Sequence, residues 1–182
     1  MNEIPYFWCE RVFAPWVDME EEMRREDIPL YALESGDPVR DFDFIGFTLQ
    51  YELSYTNVLN MLELAGIPLR SKDRTELHNI VVGGGPCACN PEPLADFFDI
   101  FFLGDGEEVD IEVMELYRQC KKEASPSWSF WSRPPRSRVY VPRLLRRRLQ
   151  RGRHGQGLHP HPRRPRHGEK AQHDGHGQVL LP

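Results

Sequence analysis

Apolar positions along the first 123 residues change period several times, and each change marks an element. Phe7-Trp8-Cys9-Glu10-Arg11-Val12-Phe13 is aromatic and β-branched and predicts a strand. Pro15 opens a helix with Trp16, Met19 and Met23 on one face. Asp18, Glu20 and Glu21 sit at its positive end, and Arg24 and Arg25 at its negative end. Leu30-Tyr31-Ala32-Leu33 predicts a second, short strand that Gly36-Asp37-Pro38 breaks, and residues 38–42 a single helical turn. Phe44-Ile45-Gly46-Phe47-Thr48-Leu49 is nearly continuous in apolar character, the pattern of a parallel strand buried on both faces. Ser54 or Thr56 can cap the next helix, whose stripe is Val58, Leu59, Leu62 and Ala65, and Gly66 and Pro68 end it. Ile80-Val81-Val82 runs as a strand straight into Gly83-Gly84-Gly85-Pro86. Pro91 to Phe98 predicts a short helix, and Ile100 to Leu103 a buried strand ending in Gly104-Asp105-Gly106. The last helix starts near Glu107, with Val109, Val113, Leu116, Tyr117 and Cys120 inward.

Strands alternating with helices at this spacing predict βαβ units and a parallel sheet, an α/β fold. In such sheets ligands bind beyond the carboxyl ends of the strands. Three loops qualify: the one after Thr48, Gly83–Pro86, and Gly104–Glu107. Three glycines after a buried strand let backbone approach a ligand, because no Cβ intrudes; they serve equally as a flexible strand exit. They are not a GxGxxG fingerprint, since no helix follows at once, nor a Walker loop, which ends in Gly-Lys-Ser/Thr. Gly104-Asp105-Gly106-Glu107-Glu108 reads either as a tight turn whose helix N-terminus meets ligand oxygens or as a helix entry with acidic capping.

The four cysteines are Cys9, Cys87, Cys89 and Cys120, too few for a disulfide scaffold, and they favour a reduced, cytoplasmic setting. Cys87-Ala88-Cys89 has no second cysteine knuckle to complete a zinc site, and the sequence contains no CxxxCxxC. No metal ligand set and no catalytic Ser/His/Asp set stands out, and His78 reads as a solvated loop residue. No apolar run reaches the length of a membrane span.

Charge divides the chain. Residues 1–123 hold 10 Lys+Arg against 26 Asp+Glu, a net −16; residues 124–182 hold 13 against 2, a net +11. Six of the seven histidines also fall in the second part. The expected division is therefore a domain over 1–123 and a basic, disordered tail over 124–182, rich in Arg, Pro, Gly and His.

Order and spacing add what single motifs lack. WCERVFAPW, GFTLQYELSYTNVLNML, GGGPCACNPEPLADFFD and GDGEE, in that order, resemble the cobalamin-binding-like domain that precedes the catalytic domain in B12-type radical SAM proteins. The resemblance covers about residues 6–123 and is strongest to one subgroup of large, uncharacterised members. It implies a flavodoxin-like fold whose strand-end loops face cobalamin. By position it implies cofactor contacts at Thr48, at Gly83, Gly84 and Gly85, and at Gly104, Asp105, Gly106 and Glu107. It places the [4Fe–4S] cluster, SAM and catalysis in a radical SAM domain downstream, which is the partner it implies; the chain itself would not catalyse. Two departures stand out. The DxHxxG loop that carries a cobalt-ligating histidine does not occur, so the first strand–helix unit of the fold is expected to be missing, and the Ser-x-Leu of the family reads Thr48-Leu49-Gln50.

The basic tail has its own readings. Arg143, Arg146 to Arg148, Arg151, Arg153, Arg163, Arg164 and Arg166 suit phosphate neutralisation, which makes a nucleic-acid-binding protein with a basic arm one alternative. A free-standing flavodoxin-like ligand-binding module is another. The preferred reading is a frameshift. Back-translated with GC-rich codons and read one base on, the text from Arg143 becomes ordinary protein with a strand, an Asn-Glu-Asp-Gly turn and a second strand. Ala124–Arg138 reads as shifted in the same way, while Val139-Tyr140-Val141-Pro142 reads in frame.

Overall fold

The structure is a computed structural model that describes residues 1–124, 127–133, 139–142 and 144. A four-stranded sheet in the order β1-β2-β3-β4 forms its centre. The strands are β1 (Phe44–Thr48), β2 (Ile80–Gly84), β3 (Ile100–Phe102) and β4 (Val139–Tyr140). The first three are parallel and β4 is antiparallel to β3. Helices flank both faces, which is the α/β arrangement predicted from the alternation of strands and helices and is consistent with the flavodoxin-like fold that the resemblance implies.

Strand periodicity sorts the core into two layers. Ile45, Val81 and Phe101 face α1 (Val17–Arg25) and α2 (Tyr55–Leu64), where they meet Met23, Val58, Met61 and Leu62. Ile80, Val82, Ile100 and Phe102 face α3 (Val109–Lys122), where they meet Val109, Val113, Tyr117 and Cys120. α1 and α2 run parallel, because Asn60 accepts from Arg24 at 2.8 Å and donates to Glu20 at 2.8 Å while Arg24 also reaches Glu63 at 3.6 Å.

Several predicted elements differ. Phe7–Phe13 is not a strand. It forms an irregular arm tied down by side chains: Asn2 exchanges two hydrogen bonds with the Cys9 backbone, Arg11 pairs with Glu34, and Glu10 accepts from Ser35. Its β-branched and aromatic pattern finds no neighbouring strand to pair with, so Trp8 and Phe13 stand exposed. The strand predicted at Leu30–Leu33 reduces to one bridge between Tyr31 and Pro38, since Gly36 turns the chain back after four residues. β1 is not buried on both faces. It is the sheet's edge, and Gly46 and Thr48 are exposed. On α1 only Met23 is buried; Trp16 and Met19 face solvent. Ser54 precedes α2 but its hydroxyl turns back to the Tyr51 carbonyl instead of capping.

Packing also continues past the jump in composition. Helix α4 (Ser127–Ser132) delivers Phe130, which is fully buried against Tyr117, and Val139 and Val141 join the same layer. Residues 145–182, where most of the arginines and histidines of the expected tail fall, lie outside the described residues. No helix among the described residues is long and apolar enough to cross a membrane.

Candidate functional site

β1 and β2 are in register with Thr48 opposite Gly84, and Gly83 lies opposite Phe101 on β3. Thr48, Gly84 and Phe102 therefore form a row across the carboxyl end of the sheet, on the side of α3. The Gly104–Glu107 loop follows β3 directly and opens α3, so it closes one end of that row.

The glycines predicted to cradle a ligand do different jobs. A Cβ at Gly83 would sit 3.0 Å from the rings of Phe98 and Phe101, so this glycine makes room for the core. Gly85 has φ +90°, and a Cβ there would lie 3.0 Å from the Leu49 carbonyl oxygen. That close approach is fixed on both sides, as Leu49 N–H donates to Gly84 at 2.7 Å and Cys87 N–H to Leu49 at 3.0 Å. Gly106 faces the Asp110 carboxylate, 3.1 Å from its would-be Cβ. Gly84 has no described atom within 4 Å of a Cβ, and neither does Gly104, whose φ of +94° suits the turn. Packing among the described residues thus accounts for Gly83, Gly85 and Gly106 and leaves Gly84 and Gly104 without a neighbour for a would-be Cβ, beside an exposed Thr48.

The segment that follows β3, on one side of this opening, is acidic. Asp105 and Glu107 are exposed. Asp110, which the sequence reading did not single out, is half-buried; burial and then the Glu107 charge push its carboxyl up from the ordinary range. Its Oδ1 has no hydrogen-bond partner among the described residues. The available signal was its place four residues after Gly106, one helical turn into α3.

Cys87 and Cys89 do not form a pair. They lie two apart on a 3-10 turn (Pro86–Cys89), where the rotation is about 120° per residue, so they diverge. Cys87 packs inward and Cys89 is exposed. The Tyr55 hydroxyl is pushed up, first by burial and then by the neighbouring Cys87 thiol. His78 is not simply solvated and is not near the row. Its Nε2 lies 3.0 Å from the Arg40 carbonyl and its Nδ1 3.4 Å from Asp43, at the amino end of the sheet. Tyr117 donates to the same Asp43; burial, then that hydrogen bond, drives its hydroxyl far up. No group of three or more His, Cys, Asp or Glu side chains suited to a metal occurs among the described residues.

The chain is 32% identical over 119 residues to an uncharacterized protein of Methanocaldococcus jannaschii. The match covers 65% of this chain and 25% of that relative, so the chain spans about a quarter of the length of the curated protein it matches. No solved structure matches it. The family model described as "Radical SAM proteins, N-terminal" matches residues 1–142, which takes in all four strands and ends just after β4. The chain belongs to the family of radical SAM protein N-terminal regions.

Proposed function

We propose that this chain is the accessory domain of a radical SAM protein, without catalysis of its own, and that the carboxyl end of its sheet holds a cofactor for a following domain that carries the [4Fe–4S] cluster and SAM. The family match supports the placement. The observation that carries the cofactor role is Gly84: it is a strand glycine with ordinary backbone and no described atom within 4 Å of a would-be Cβ, so packing among the described residues gives no reason for it.

Cobalamin is the ligand we propose for that space. Backbone at Gly84 and Gly104 would approach it closely, and the Thr48 hydroxyl would hydrogen-bond a polar substituent on its rim. Bound there, cobalamin would supply organometallic chemistry to the following domain. The chain's own part is to hold and orient it. The described residues fit a cobalamin held by backbone and hydroxyl contacts and do not fit ligation of cobalt, because His78, the one histidine among them, is engaged at the opposite end of the sheet. The test is a cobalamin titration of the full chain followed through the visible cobalt-ligand bands. Weak binding without a histidine-ligated spectrum, abolished by Gly84→Val, is the expected result. A tight, histidine-ligated complex, or binding indifferent to Gly84→Val, would overturn it.

A further inference from the structure

His78 and Asp43 meet at the amino end of the sheet, where three segments converge. They are the turn over Val39–Asp41 that leads into β1, the residues just before β2, and the last turns of α3. The donors and acceptors there can be counted one by one. His78 Nε2 lies 3.0 Å from the Arg40 carbonyl oxygen, which also accepts from Asn79 Nδ2 at 2.8 Å. A carbonyl only accepts, so Nε2 must carry a hydrogen. Nδ1 faces the Asp43 side chain, 3.4 Å from Oδ1, and an ionised carboxylate only accepts as well. A neutral imidazole has one N–H, and the Arg40 carbonyl has claimed it. The other nitrogen then sets a lone pair against a carboxylate oxygen. The imidazolium has two N–H groups and satisfies both neighbours.

The groups around this pair leave the proton to His78. From α3, Tyr117 donates to the same Asp43 Oδ1, and Lys121 Nζ stands 3.9 Å from it. Burial, and then its bond to Asp43, hold the Tyr117 hydroxyl far above its ordinary range, so it stays neutral. The Arg40 guanidinium lies elsewhere, with Nη1 3.9 Å from a would-be Cβ of Gly66. Carboxylates and lysines keep their charge across the range in which an imidazole titrates, which makes His78 the member of the cluster that changes charge there.

We propose that His78 is a proton-operated fastener at the closed end of the sheet. Its imidazolium ties the entry of β2 both to the turn before β1 and to the carboxylate that seats the end of α3; loss of the proton releases the second tie. A contact made only by the charged ring favours the protonated folded chain. Its contribution is complete on the acid side of the imidazole range and fades as pH rises through about 5 to 8. The two side chains are 39% and 54% exposed, so water screens the pair. The effect is a change of about two- to fivefold in the unfolding equilibrium, not loss of the fold.

The experiment measures urea unfolding of the full 182-residue chain at a series of pH values between about 5.5 and 8, beside His78→Gln, Asp43→Asn and the double variant. Relative to His78→Gln, the native chain should lose about two- to fivefold in its folding equilibrium constant as pH rises across that range. The loss should vanish when Asp43→Asn is the background for both. The subtraction removes the response of Asp110, which both chains share. Ring-nitrogen NMR of the native chain gives a reading that depends on no variant folding. At the alkaline end the His78 ring should carry its hydrogen on Nε2 and leave Nδ1 bare; at the acid end both should be protonated. A neutral ring protonated on Nδ1, a pH response equal in the native chain and His78→Gln, a response of the opposite sign, or one that survives Asp43→Asn would each overturn the proposal.

Discussion

At the amino ends of the parallel strands, buried side chains tie one strand to the next; at the carboxyl ends the described ties are mostly backbone, with the Tyr140–Glu92 hydrogen bond at 2.8 Å on the outside. Arg74 and Asp99 are almost wholly buried, with side chains 4% and 2% exposed. Arg74 donates to the Asp99 carboxylate at 2.8 and 3.0 Å and to the carbonyls of Pro68, Leu69 and Phe97. Asp99 also accepts from the Val81 amide at 3.0 Å, so one pair joins the starts of β2 and β3 to the loop after α2. Asn79 bonds the carbonyls of Arg40 and Phe42 at 2.8 Å, and Asp43 gathers Tyr117, His78 and Lys121 before β1. The carboxyl end has glycines, one hydroxyl and exposed carboxylates instead. A fold that fixes one end with directional bonds leaves the other free to be shaped by whatever occupies it.

The contrast breaks most directly at Arg74. Arg74→Ala strands a buried carboxylate, and we expect a loss of about 3–5 kcal/mol of unfolding free energy in urea denaturation. A loss below about 1 kcal/mol would mean that the amino end is not held by this pair. Phe130→Ala tests how far the locked end reaches past the change in composition. Phe130 buttresses Tyr117 from α4, with centroids 6.0 Å apart, and its removal should cost about 3–5 kcal/mol. An unchanged midpoint would confine the packed core to residues before 124.

At the open end the expected effects are smaller and unequal. Gly85→Ala should destabilise by about 1–3 kcal/mol, because φ +90° and the Leu49 backbone both oppose a side chain. Gly84→Ala should stay within about 0.5 kcal/mol. Equal losses at the two positions would erase the distinction between packing glycines and the open one. The smallest effect belongs to Asp110. Its folded carboxyl is raised, so the folded state is penalised above that raised range and relieved as pH falls through it. Stability of the native chain relative to Asp110→Asn should therefore improve on acidification through the carboxylate range, measured by urea midpoints across pH. An opposite slope would place a favourable partner on that carboxylate.

Legibility followed locality. β1, β2, β3, α2 and α3 announce themselves because each has a dense apolar pattern bounded by Gly, Pro or a charge, and the pattern is satisfied by neighbours close in sequence. Phe7–Phe13 carries an equally strong strand pattern and is not a strand, since pairing depends on a neighbour that its own residues do not encode. The loops of the candidate site were found through their position after strands, yet the three adjacent glycines look identical in sequence. Only the positions of Phe98, Phe101 and Leu49 separate Gly83 and Gly85 from Gly84. The residue type of Asp110 carries no signal in the sequence, because an acidic residue in a first helical turn is ordinary. Phe130 and Val139 do not read as core, because arginine- and proline-rich surroundings dominate the local composition.

Helix α3 touches both ends. Its 14 residues make a rod about 21 Å long, stiff on the scale of the domain. Its first turn is seated on the Gly104–Glu107 loop, and near its far end Tyr117 rests against Asp43, Phe44 and Phe130. Val109 and Val113 are fully buried under the sheet between these two points, so the rod is held along its length. One rigid element therefore carries both the acidic loop at the carboxyl end of the sheet and the Tyr117 contacts at the amino end, and sets the spacing between them.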